Sequence, residues 1–88
     1  MDDNRVNRIT ELLNEREYEA AMNYDDDARK NKDFHAAVAE LKRIDKDQRT
    51  LYGLCQRYEF INSQKTTFDQ AFASQMAVAR SQAISKLK

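Results

Sequence analysis

Residues 33–62 read DFHAAVAELKRIDKDQRTLYGLCQRYEFIN. Within them Phe34, Ala37, Leu41, Ile44, Gln48, Leu51, Cys55 and Tyr58 follow one another at alternating steps of three and four. That spacing lines side chains up along one side of an α-helix. Val38, Leu54 and Ile61 widen the stripe into a face that touches two neighbours. The spacing predicts one helix over about 33–62. Asn31 or Asp33 is suited to cap it, because a short side-chain oxygen accepts from the free amides of a first turn. Two positions interrupt the pattern. Gln48 is polar on the apolar stripe and needs a partner there, a device that sets register or oligomeric state. Gly53 weakens a helix interior by about 1 kcal/mol relative to Ala, and close approach of a neighbouring helix is the expected reason for it.

Downstream, the polar run Asn62-Ser63-Gln64-Lys65 reads as a loop. A second helix is predicted over about 67–86, with Thr66 or Thr67 as its cap. Phe68, Phe72, Met76, Ala79 and Ala83 carry its helical spacing, and many small residues allow another helix close approach. Upstream, Val6, Ile9, Leu12 and Leu13 form a short amphipathic face, with Asp2, Asp3 or Asn4 as caps. Tyr18, Ala21, Tyr24 and Ala28 continue it weakly. This N-terminal helical segment spans about 3–29, with candidate breaks near Asn14 and near the Asp25-Asp26-Asp27 run. Arg16–Met22 and Lys32–Val38 share one pattern of charge, acid, aromatic, any residue, Ala, Ala, apolar, and both read as helix starts.

The composition agrees with an all-α class. With 88 residues, no Pro and one Gly, the chain lacks the turn residues of a β-sandwich or barrel. One domain, 1–88, is expected: a small helical bundle whose long central and C-terminal helices form an antiparallel hairpin. One Cys excludes a disulfide framework and a Cys-based zinc cluster. The chain is 34% charged and has no apolar run of membrane length, so no membrane span is expected. Met1-Asp2-Asp3 opens no apolar signal region, and a cytoplasmic location is the expectation.

Net charge is zero, yet residues 1–27 hold nine acids and three bases, and residues 28–88 six acids and twelve bases. Internal pairing of the acidic start with the basic remainder, or pairing between subunits, is the expected source of this asymmetry; an acidic face for one partner and a basic face for another is the alternative. Few residues suggest catalysis. His35 has no second ligand at metal spacing, and Cys55 lies on the apolar stripe, where a thiol acts as a small hydrophobe. Asp25-Asp26-Asp27 lacks the glycine and the distal Glu of a calcium loop, and reads as a solvated or capping run. No phosphate-cradling glycine loop is present. The chain is therefore read as not an enzyme, with no cofactor and no metal.

A binding role is the alternative to chemistry. A helix of about 30 residues is ~45 Å long, longer than a compact domain of this size is wide, and the C-terminal helix alone does not cover it. Phe34, Leu41, Ile44, Leu51, Cys55 and Tyr58 are the expected packing and oligomer seam, faced by Phe68, Phe72 and Met76. Arg43, Arg49, Tyr52, Arg57, Lys65 and Arg80 are the candidate contacts to an anion or to nucleic acid, because guanidinium and tyrosine hold phosphates and stack on bases.

Lys32-Asp33-Phe34-His35-Ala36-Ala37-Val38-Ala39-Glu40-Leu41-Lys42-Arg43-Ile44, followed by Leu51-Tyr52-Gly53-Leu54, resembles the oligomerisation segment of some bacteriophage small terminase subunits. The resemblance covers residues 32–54 and implies an oligomerising helix and a phage origin. Members of that family ring together through helices and recognise viral DNA; no binding residue is carried over. The expected function is a homo-oligomeric helical binding protein: an adaptor, assembly factor or inhibitor with a protein partner. The alternatives are a nucleic-acid-binding adaptor using the basic second half, and sequestration of a small anionic ligand such as a nucleotide between subunits.

Overall fold

A computed structural model describes residues 3–88, and its elements are all helical. They are α1 (Asp3–Asn14), α2 (Tyr18–Met22), α3 (Asp26–Lys30), α4 (Lys32–Arg57), α5 (Glu59–Asn62) and α6 (Lys65–Ser85). The long central helix α4 packs against α6 as a hairpin, and α5 is the single turn that joins them. α1 lies against α2 and α6, while α2 and α3 lie against α4.

The N-terminal segment breaks at both candidate places. α1 closes with the Glu17 amide donating to the Leu12 carbonyl (2.8 Å) and the Arg16 amide to that of Leu13 (3.1 Å). This pair of bonds turns the chain through a left-handed residue. That residue is Arg16, at φ 64°, where glycine is usual. The second break is made by Asp25, extended, with its carboxylate accepting from the Ala28 amide at 2.8 Å. Asp25 also grips Arg5, and that hydrogen bond holds its carboxyl below the usual range. The aspartate run thus caps α3. The proposed α1 caps Asp2 and Asp3 fall outside the described side chains.

Asn31, rather than Asp33, caps α4. Its side-chain oxygen accepts from the Phe34 amide (2.9 Å), and its amide nitrogen donates to the Lys86 carbonyl (2.8 Å), tying the end of α6 to the start of α4. α4 stops at Arg57 rather than near 62, because Tyr58 is extended (φ −128°, ψ 112°). α6 begins at Lys65, with Gln64 in the cap position and no side-chain cap, so neither threonine serves. Gly53 lies in open space, with nothing near the place a Cβ would occupy; no neighbouring helix explains it.

The core is Ile9, Leu13, Tyr18, Ala21, Ala28, Phe34, Val38, Leu41 and Ile44 from the first four helices, and Met76, Ala79 and Ala83 from α6. The alanines let α6 approach closely, and Phe72 packs at the margin. The core thus fills one end of the hairpin only. Over residues 49–75, Cys55 alone is buried. The molecule is accordingly a rod of 49 × 18 × 17 Å with a radius of gyration of 14.9 Å, against about 12 Å for a compact chain of this length. No helix among the described residues is long and apolar enough to cross a membrane.

Candidate interaction surfaces

A belt of polar side chains separates the filled end from the open one. Arg16 donates to Asp45 Oδ1 (2.8 Å) and to Gln48 Oε1 (3.3 Å). Gln48 donates to the Tyr52 hydroxyl (3.0 Å), which donates to Asp69 Oδ1 (2.6 Å). Lys65 sits 3.9 Å from Asp69 Oδ2 and 4.9 Å from the centre of the Tyr52 ring. The belt crosses from the α1–α2 turn over α4 to α6, and Gln48 finds in it the partner its place on the stripe demands. The hydrogen bond to Asp69 raises the Tyr52 pKa. Burial, with Asp45 beside it, raises that of Tyr18. The Tyr18 hydroxyl is buried and makes no hydrogen bond of ordinary geometry.

Beyond the belt lies the open tip. Leu51, Ile61 and Phe68 are half-buried there, while Leu54, Tyr58 and Phe60 are 36%, 51% and 71% exposed. The break at Tyr58 turns the seam outward, and α5 carries Phe60 on its solvent side. Arg57 is exposed beside them. Tyr24 and Val78 are exposed singly elsewhere, at 41% and 58%, which is ordinary; the three grouped at one end of the rod are the candidate contact surface.

The second surface is a groove of about 530 Å³ on the other side of the belt, between the α1–α2 turn and α4. Arg16, Tyr18, Ala39, Lys42, Arg43, Asp45, Lys46 and Arg49 line it. Asp45, its only acid, is 4% exposed. Its Oδ1 takes Arg16, and Arg49 stands 3.8 Å from its Oδ2. Lys42 is paired at the surface with Glu19, and Arg43 with Glu40 and Asp47. Lys46 forms no ion pair among the described residues.

The seam residues Phe34, Leu41, Ile44 and Met76 are buried in the core, and Cys55 is buried at the tip. Leu51, Phe68 and Phe72 are half-buried, and Tyr58 is exposed. Of the candidate anion contacts, Arg43 and Arg49 share the groove. Tyr52 and Lys65 belong to the belt, Arg57 to the tip, and Arg80 is half-buried on α6 near Tyr18. They do not form one patch. Lys42 and Arg16 were missed as groove residues. Lys42, with Ala39, Arg43, Lys46 and Arg49, repeats at helical spacing on the polar side of α4, and that spacing is the signal that could have found it. His35 places Nε2 3.0 Å from the Ala28 carbonyl, tying α3 to α4. Among the described residues, one ion pair across elements joins the acidic start to the basic remainder, Lys42 with Glu19; Arg16 with Asp45 runs in the opposite sense.

No family model matches this chain, and neither do curated proteins or solved structures.

Proposed function

We propose that this chain is a non-enzymatic, self-associating helical binding protein that works in the cytoplasm as an adaptor, assembly factor or inhibitor. Copies join through the open tip of the α4–α6 hairpin. One observation carries this reading: beyond Gln48 the end of the hairpin leaves Leu54, Tyr58 and Phe60 exposed together. Burying a large apolar side chain contributes about 1.5–3 kcal/mol, so covering three or four of them in each copy is a substantial drive to associate. The length of the rod and the likeness of residues 32–54 to an oligomerising segment point the same way.

Sedimentation velocity on the wild type and on the double variant L54D/F60D tests it. The wild type is expected to sediment as an oligomer. The double variant is expected to be monomeric with an unchanged helical spectrum, because both side chains are already exposed. A wild-type monomer persisting at about 0.1 mM, where even weak specific pairs associate, would overturn the reading.

A further inference from the structure

We propose that the groove between the α1–α2 turn and α4 binds the phosphate groups of a multiply phosphorylated ligand of nucleotide type. The inference is independent of self-association, because the groove lies on the filled side of the belt and uses none of the exposed apolar residues of the tip.

Its cations are arranged rather than scattered. Lys42, Lys46 and Arg49 follow at helical spacing, so they stand in a row along about 10 Å of α4. Arg16 faces this row from the α1–α2 turn, and the Tyr18 ring forms a wall between the two elements. Asp45 lies beneath, and its two oxygens address the two guanidiniums that face each other across the groove, Arg16 at 2.8 Å and Arg49 at 3.8 Å. A buried carboxylate thus orients two forks toward the solvent side while keeping its own charge inside.

Donors remain open for an anion. Lys46 has no ion pair among the described residues. The Arg49 contact is longer than the 2.7–2.9 Å or so of a charge-assisted hydrogen bond, which leaves its other donors to a ligand. The Lys42–Glu19 pair is solvent-exposed and of the kind that contributes little, so a multivalent anion displaces it. Size decides the ligand class. About 530 Å³ falls within the range of roughly 300–1,000 Å³ for small-molecule sites. A single inorganic phosphate would leave most of it unfilled, whereas several phosphates attached to a ring fill both the cationic row and the space beside Ala39 and Tyr18. The same phosphates could come from a free nucleotide or from the backbone of a nucleic-acid strand.

Isothermal titration at low salt with ATP, with inorganic tripolyphosphate and with a short thymidine oligonucleotide tests the proposal and separates these sources. The wild type is expected to bind, and the double variant K42E/K46E to lose about tenfold or more in affinity with its helical spectrum unchanged, as removal of phosphate contacts requires. ATP binding tighter than that of the oligonucleotide assigns a free nucleotide, and the reverse order assigns a strand. The tip variants L54D/F60D and R57E are expected to bind as the wild type does. Absence of binding by all three probes would overturn the proposal. So would affinity insensitive to K42E/K46E, or lost equally in R57E.

Discussion

Arg16 carries two opposed effects. Its left-handed backbone is unfavourable for a side chain by about 1 kcal/mol, and its guanidinium supplies the short ion pair to a carboxylate that is 4% exposed. The pair is asymmetric, since the arginine side chain is 47% exposed. Removing the arginine strands a buried charge; removing the carboxylate returns an arginine to water. R16A is therefore expected to destabilise by about 2–3 kcal/mol and D45N by about 1. R16G should recover about 1 kcal/mol of the R16A loss, because glycine accepts the backbone. Urea titration of the three variants measures the order, and D45N proving the worst would contradict the account of the turn. Tyr18 gives a pH counterpart. Its pKa is raised above the ordinary 10.0, so folding favours the neutral phenol. That contribution is whole below pH 10 and drains away as pH rises through the folded-state value. Y18F removes the ionisation, along with a buried hydroxyl that makes no hydrogen bond of ordinary geometry. At pH 7 the variant should be at least as stable as the wild type, and above pH 10 its melting temperature should fall less steeply.

In α4, Gly53 has neither a close neighbour nor a positive φ to require it. G53A is expected to raise the stability of the single chain by about 1 kcal/mol, the ordinary helix preference, read as a higher melting temperature in dilute solution. The helices themselves were largely readable in advance. The three-and-four spacing from Phe34 to Ile44 is the core face of α4, and Met76, Ala79 and Ala83 are the core face of α6. The end of α4 was not readable, because Tyr58 and Ile61 keep the spacing of side chains while the backbone at Tyr58 is extended. The break near Asn14 was readable, but not its left-handed residue, since Arg16 stands where glycine is usual. The groove was half readable: Arg43 and Arg49 stood out as cations, but Arg16 joins them only through a contact 29 positions along the chain.

Taken whole, the molecule has a filled end, where four N-terminal and central helices close over α6, and an open end, where two helices run on with little between them. The sequence asymmetry of charge is absorbed in the filled end, where the acidic start packs against the stretch of α4 that carries Lys42 and Lys46. Of the groove cations, Lys46 alone has no ion pair among the described residues. Stability should be graded in the same way, because segments with few buried apolar contacts open locally at lower free energy than the core.

Cys55 gives that gradation a clock. It is the one thiol in the chain and is buried at the open end. A buried thiol reacts with an aromatic disulfide reagent only when its surroundings part, so the rate of colour release records how often the hairpin end breathes. In dilute solution the reaction should run well ahead of global unfolding. If copies cover this end, raising the protein concentration should slow it, and L54D/F60D should abolish the slowing. A single sulfur atom, inert in the folded chain, thereby reports both the looseness of one end of the rod and its occupancy.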